Sequence, residues 1–495
     1  VTVEYGDATD STALAITNSN PADSVNIHMT ITDPALNIDP TTADTWEFGL
    51  AGTAATPLAY FASNGTGNTV LTGANLNELD FGDNGFFGAD ATTYLAAGGS
   101  ALALSSWAET GANTGVFESF DATGAAEFLT VDECAADSIT KFSYGGNTVD
   151  MICTYNDATI TMGEAGQAWA PATAVTISVN DPDANKNPTS AETLAIGDET
   201  VVIPTIKMGS PLTLAQSGTN ANLAKSSADH VSGVTVGCAA ASCTGTDGGY
   251  YDLIIANTTD NSERLRIILS AEQGSHAGAT TTWINVTTGH TRTTLVDLAG
   301  TVVLNYDVTG PCALMTCTAV AVYVTDSGEN STNNAAGKIS VNVSGNDQAG
   351  VYDLDDDTYY ISDSEVHAAD TFSSGEAGTV FVSVDFLLTH AATNDLDADA
   401  DFAIAADFCN FDQNNGSLTH NCIYRLEAEE TGANTGVFEG TVEYVNLVNS
   451  TSGNGGHAGN GNAVADMLGY VNGDALSVVL MDAVSGSDSV RVVYN

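Results

Sequence analysis

The sequence predicts an all-β protein, and three observations carry that reading. Short β-branched runs such as Val175–Val179 (VTISV) and Val478–Leu480 (VVL) recur between clusters of Gly, Asn, Asp and Thr, while helical periodicity is scarce. A ten-residue string, ETGANTGVFE, occupies Glu109–Glu118 and returns unchanged at Glu430–Glu439. Self-similarity of this kind marks an array of related modules. The chain is also 495 residues long, too long for one core at about 100–200 residues per domain. Together these point to tandem immunoglobulin-like β-sandwich domains.

The elements follow in chain order. Val1–Thr9 (VTVEYGDAT) resembles the strand-plus-turn segments Ile152–Thr159 (ICTYNDAT) and Val303–Gly310 (VLNYDVTG), each of which precedes a new module. Two readings of residues 1–9 are open. They end a preceding module of a longer array, or they are donated to a neighbouring subunit by β-strand addition. A strand then runs into an Asp-Pro loop, first as ITDPALNIDPTTADT (Ile31–Thr45) and again as VNDPDANKNPTSAET (Val179–Thr193). A GEAG turn recurs at 163–166 and 375–378. The first string follows its Asp-Pro loop by 76 residues, and the equivalent place in the second module is expected to hold a decayed form, Ala271–Val286. The Ala-rich stretch Ala91–Ala103 suits a short helix. Module boundaries are expected at 10–158, 159–308, a short or degenerate module at 309–365, and 366–495. Within the string, Gly-Asn-Thr-Gly reads as a tight turn, with Val116 starting a strand and Phe117 and Phe438 directed into cores.

Bulk numbers narrow the function. Lys and Arg total 10 against 62 Asp and Glu, a formal charge of −52, and 43% of residues are hydrophobic. Such a chain repels nucleic acid and anionic lipid and attracts cations. It stays soluble in salt, which screens its self-repulsion over roughly 8 Å. No apolar stretch reaches the roughly 18 residues needed to span a membrane.

The eight cysteines form four local pairs, Cys134 with Cys153, Cys238 with Cys243, Cys312 with Cys317, and Cys409 with Cys422. Close even pairs suit disulfides in an oxidising compartment, whereas the zinc alternative expects CxxC spacing or nearby histidines. Sequons at Asn64, Asn257, Asn285, Asn330, Asn342, Asn415 and Asn449 agree with a secreted glycoprotein.

Candidate cation ligands sit in the Asp-Pro loops. Asp181, Asp183, Asn185, Asn187 and Glu192 hold places 1, 3, 5, 7 and 12, and Asp33, Asn37, Asp39 and Asp44 hold places 1, 5, 7 and 12. That spacing lets a loop wrap calcium in oxygen ligands, although place 6 is Lys186 or Ile38 and not the glycine of an EF-hand. Two D-x-D-x-D runs add Asp353, Asp355 and Asp357, then Asp395, Asp397 and Asp399. Alternation places their carboxylates on one side of an extended chain. The competing reading is a set of Asx-rich turns on an acidic surface.

Catalytic constellations are absent from the sequence: there is no HExxH, GxSxG, phosphate loop or dinucleotide fingerprint. His420 beside Cys422, and His457 in a Gly-Asn loop, are expected to be solvated. Trp46, Trp107, Trp169 and Trp283 are dispersed, as core residues are. The sequence therefore reads as non-enzymatic.

The strand-DPxxNxxP loops (Asp33–Pro40, Asp181–Pro188) and the E-T-G-x-N-T-G-V-F strings at 109 and 430 resemble the surface-layer proteins of ammonia-oxidising archaea. The resemblance covers the first two modules well and the third weakly. It implies a secreted, glycosylated, extracellular array of immunoglobulin-like domains, assembled from copies of one chain into an acidic lattice that binds calcium or other divalent cations. Rival expectations are a filament or tube joined by donation of Val1–Tyr5, and a secreted adhesion array.

Overall fold

The architecture was obtained as a computed structural model. It describes residues 11–22, 25–48, 87–90, 105–119, 129–131, 136–163, 168–170, 173–213, 230–237, 251–259, 264–269, 280–291, 294–295, 298, 301–326, 339–341, 349–353, 381–391, 401–412, 419–447, 475–481 and 491–494. Val1–Thr9 and Ala91–Ala103, as well as residues 375–378, lie outside the described residues.

The described chain is all-β, in several largely antiparallel sheets with one short α-helix, Thr309–Met315. Among the described residues no helix is long and apolar enough to cross a membrane. Two units are distinguished, one of residues 1–159, 180–192 and 430–438, the other of 160–179, 193–429 and 439–495.

In the first unit, five strands lie in the order Ala13–Ile16, Met29–Thr32, Val116–Glu118, Ser105–Glu109, Thr45–Phe48. A second sheet has the order Asn147–Ile152, Ile139–Tyr144, Phe87–Asp90, and Val25–Ile27 pairs with Leu129–Val131. Period-2 alternation makes this a sandwich. Met29 and Ile31 face inward while Thr30 and Thr32 do not. The inner faces meet in one core of Leu14, Ile31, Trp46, Trp107 and Phe117 against Phe87, Phe142, Tyr144 and Met151. Trp46 lies directly across from Trp107 in the strand register, and both are buried, as expected of core residues.

The strand order then repeats. Thr159–Met162, Val175–Asn180, Val437–Leu447, Ala428–Glu430 and Thr193–Leu194 are neighbours in that order, with Ala475–Met481 added in parallel beside Val437–Leu447. Strand for strand this is the first sheet again, so the second string belongs with the second Asp-Pro loop. The stretch Ala271–Val286 does not occupy that place. Residues 271–279 lie outside the described residues, and Thr281–Thr291 pairs with His230–Gly237 and Phe381–Thr389 instead. The loops are offset by 148 positions (33 to 181) and the strings by 321 (109 to 430), so the second copy carries a net insertion of 173 residues between loop and string.

That insertion supplies most of a further sheet in the second unit, with Val492–Val493 paired to Thr205–Met208 at its edge. Its strands run Ile339–Val341, Ala319–Asp326, Phe381–Thr389, Thr281–Thr291, His230–Gly237, Tyr251–Thr259, Arg264–Leu269, Asp401–Asp412, Thr419–Arg425 and Thr205–Met208. Strands from the expected modules 159–308, 309–365 and 366–495 are hydrogen-bonded to one another here. The sheets therefore do not divide at 308 or at 365, because backbone pairing across those points leaves fewer unsatisfied edges than separate small sheets would.

Candidate functional site

The repeated loop and the repeated string form a clasp, and the first unit contains two of them. In the first, Asp33 ends its strand and caps a 3-10 turn, Pro34–Leu36, its Oδ1 accepting from Ala35 N–H at 2.8 Å. Proline at the first turn position sets φ and removes a donor that would have no partner. The other carboxyl oxygen, Oδ2, accepts from the Tyr144 hydroxyl at 2.5 Å. Asp44 Oδ2 accepts from Ile38 N–H (2.6 Å) and Asp39 N–H (2.9 Å). Asp39 Oδ1 accepts from the N–H and hydroxyl of Thr41 (3.0 and 2.6 Å), which holds its carboxyl below the usual range.

The string answers with Glu109, buried at the head of its turn. Its Oε1 accepts from Thr114 N–H and Gly115 N–H, both at 2.7 Å, and its Oε2 from Asp44 N–H at 3.1 Å. Asn37 Nδ2 donates to Asn113 Oδ1 (2.8 Å), and Asp33 N–H donates to Gly115 O (2.7 Å). Gly115 sits at φ +64°, where a Cβ would lie 3.0 Å from Pro34 Cα. Only glycine allows both that conformation and that approach.

The second clasp repeats the bonds between loop and string. Asp181 Oδ1 accepts from Asp183 N–H (3.0 Å), and Asp181 N–H donates to Gly436 O (2.8 Å). Glu430 Oε1 accepts from Thr435 N–H (2.7 Å) and Gly436 N–H (2.8 Å), and its Oε2 from Glu192 N–H (3.3 Å). Asn185 Nδ2 donates to Asn434 Oδ1 at 2.9 Å, and Asn187 Oδ1 accepts from the N–H (3.1 Å) and hydroxyl (2.8 Å) of Thr189. Gly436 has φ +61° and the same 3.0 Å approach to Pro182 Cα.

Among the differences between the two loops, Glu192 stands where the first has Asp44. Glu192 Oε1 takes the N–H of Asn187, leaving Oε2 buried with no donor and facing the Glu430 carboxyl. Two acceptors facing each other need a proton between them. Burial and then Glu430 push Glu192 up to about 7. Its folded pKa lies above the unfolded value, so its stabilisation is complete below about pH 4.5 and is lost as pH rises through about 7. Glu192→Gln keeps the Oε1 acceptor and supplies a permanent donor. At pH 8 it should stabilise the second clasp by about 1–2 kcal/mol, a figure reduced for solvent screening at this half-buried group. Urea unfolding from pH 5 to 9 checks this, and an unchanged pH slope in the variant would refute it.

The expected cation ligands are thus placed as follows. Asp33, Asp39, Asp44, Asp181, Asn187 and Glu192 direct oxygens onto N–H groups of their own loops, the Asx-turn arrangement. Asp183 turns to Asn156, accepting from its N–H (2.7 Å) and side-chain amide (2.8 Å). Asn37 Oδ1 and its counterpart Asn185 Oδ1 are buried without a hydrogen-bond partner. One spare amide oxygen per loop falls short of the six to eight oxygens around calcium. Asp353 ends the strand Ala349–Asp353, and Asp355, Asp357, Asp395, Asp397 and Asp399 lie outside the described residues.

Cys312–Cys317 and Cys409–Cys422 are disulfides. Cys153 is also disulfide-bonded, while Cys134, Cys238 and Cys243 lie outside the described residues. Asp407, Cys409 and Cys422 cluster as metal ligands do, but the two sulfurs are bonded to each other and offer no thiolate. Asn257 and Asn285 lie in the strands Tyr251–Thr259 and Thr281–Thr291; Asn64, Asn330, Asn342, Asn415 and Asn449 lie outside the described residues, as does His457. His420 is not solvated. Its Nε2 meets the Tyr424 hydroxyl at 2.9 Å, and burial pushes it down to about 4.

Sequence reading missed the buried cations. Arg425 Nη1 meets Asp407 Oδ1 at 2.6 Å with both side chains fully buried. Arg264 donates to the carbonyls of Ile196 (2.6 Å), Asp198 (2.6 Å) and Val201. In a chain with only 10 cationic residues, an arginine within a strand-like run was the available signal.

No family model matches the chain, and no curated protein matches it. Among solved structures, the native conformation of E. coli alpha-2-macroglobulin aligns at 8% identity and a TM-score of 0.14, covering 90% of this chain and 23% of that one.

Proposed function

We propose that this chain is a structural, self-assembling protein of an extracellular cell surface, of the surface-layer kind. The observation that carries the reading is the duplicated clasp, one hydrogen-bonded joint built twice from the same decapeptide and the same loop. Each clasp serves to lock strands, and most of the hydrogen bonds its acids accept come from backbone N–H groups. On this reading the role of the chain is structural, not catalytic. Immunoglobulin-like modules, disulfides and glycans on the sequons fit a secreted protein of an archaeal envelope. Calcium or another divalent cation would bridge acidic edges of neighbouring copies, since a charge of −52 otherwise opposes their approach. The second reading, a filament joined by donation of Val1–Tyr5, is favoured by the likeness of those residues to the strand at Ile152–Thr159. An adhesion array is the third.

Negative-stain electron microscopy with millimolar calcium and then with a chelator tests these readings. Sheets or tubes that dissolve on chelation are expected. Filaments indifferent to chelation would favour strand donation. Monomers under both conditions would refute self-assembly and favour adhesion.

A further inference from the structure

Two buried oxygens on one strand of the second unit lack a donor. Asn305 and Asp307 lie two residues apart in Thr301–Asp307, so they face the same side of the sheet about 6.8 Å apart along the strand. Asn305 is 4% exposed and Asp307 0%. The strand is paired on both edges, with Ala349–Asp353 and with Asp401–Asp412.

Each of these side chains is half used. Asp307 Oδ1 accepts from the N–H (2.8 Å) and the hydroxyl (2.5 Å) of Thr309, and its Oδ2 meets no donor. Asn305 Nδ2 donates to Ile423 O at 3.2 Å, and its Oδ1 meets no donor either. Exchanging the two amide atoms does not help, because the oxygen would then face the Ile423 carbonyl. Two acceptors left buried and unserved are costly.

The charged groups around Asp307 do not serve that oxygen. Arg425 Nη1 is directed at Asp407 Oδ1, and Arg264 at the carbonyls of Ile196, Asp198 and Val201. Asp198 and Glu199 act on Arg264 in turn. Burial, and then the charge of Glu427, disfavour an ionised Asp307, and the charge of Arg425 only partly opposes them.

We propose that Asp307 is a buried proton site, protonated at Oδ2 and donating to Asn305 Oδ1, directly or through one buried water. A single proton satisfies both oxygens, because it turns one acceptor into a donor for the other. Two spare oxygens are too few for a hard cation. The folded pKa of Asp307, about 6, lies above the unfolded value of 3.8. The stabilisation from this proton is therefore complete below about pH 3.8 and is lost as pH rises through about 6. The site lies within the second unit and does not depend on how copies of the chain assemble.

The test uses the full chain carrying Glu192→Gln, which removes the other acid raised among the described residues. Infrared spectroscopy at pH 5, where ordinary carboxylates are ionised, should show a protonated-carboxyl band. Adding Asp307→Asn should abolish that band. Adding Asn305→Leu should move it to higher frequency, because the hydroxyl loses its acceptor. Asp307→Asn keeps the Oδ1 acceptor and supplies a permanent N–H donor. Between pH 4 and pH 7 its folding equilibrium constant should gain about tenfold or more on that of the parent, read by urea unfolding. Absence of any Asp307-dependent band would show an ionised carboxyl and overturn the site. A band indifferent to Asn305→Leu would overturn the bond to Asn305. Should Asp307→Asn fail to fold, the shift in Asn305→Leu decides by itself.

Discussion

Replacing Arg425 with methionine is expected to destabilise the second unit by about 3–5 kcal/mol. The guanidinium lies 2.6 Å from Asp407 with both side chains at 0% exposure, so its removal strands a carboxylate away from water. Water cannot reach Asp407 to compensate, and the charge must be neutralised by a proton instead. Nearby Asp307 is already pushed up to about 6, chiefly by burial, and the Arg425 charge opposes that rise. Loss of Arg425 therefore weakens two acids at once, and the deficit should grow as pH rises from 5 to 8. Adding Asp407→Leu to the variant should restore most of the loss, since an apolar pair leaves no buried charge. Hydrogen exchange in the strands Asp401–Asp412 and Thr419–Arg425, with urea unfolding, measures it. A loss below about 1 kcal/mol, the size of an exposed pair, would show that water solvates this ion pair.

The second large effect is expected at the head of each string. Glu109→Ala and Glu430→Ala should each cost about 3 kcal/mol, since each removes a buried acceptor from three N–H groups. For Glu109 these are Thr114, Gly115 and Asp44; for Glu430 they are Thr435, Gly436 and Glu192. Both glutamates are at least 95% buried, so water does not replace the lost oxygens. Glutamine should cost less, because its amide oxygen still serves the turn. The loss should be the smaller at Glu430, where alanine also removes the carboxyl that faces the donorless Glu192 Oε2. Protection of the Gly115 or Gly436 amide that survives its alanine substitution would refute the clasp as the organising contact.

Much of this was legible in the chain. Alternation in Met29–Thr32 and Val175–Asn180 gave the strands and their buried faces, and Phe117 and Phe438 are both fully buried as their position predicts. The DPxxNxxP pattern located both loops, and the Gly-Asn-Thr-Gly core located both turns. The loop acids were also found, but their partners were not. Oxygens at alternating places suit a cation and a set of Asx turns equally, and only backbone positions separate the two. The Arg425–Asp407 pair left no linear trace, because its register across two strands depends on how those strands fold.

The sequence by itself determined that loop and string are repeating parts, that each contains a tight turn, and that the chain builds sheets. Only the tertiary structure decided which string closes which loop. A reading along the chain assigns the nearest similar segment, and so places Ala271–Val286 in the second clasp. The folded chain takes Glu430–Glu439 instead, 249 positions from its loop. Closure entropy rises only as about (3/2)RT ln n, so distance costs little. A buried glutamate with three N–H donors outweighs it, and residues 271–286, which keep Glu272 and Gly278 at the spacing of Glu109 and Gly115, have His276 and Ala277 where the string has its asparagine and threonine.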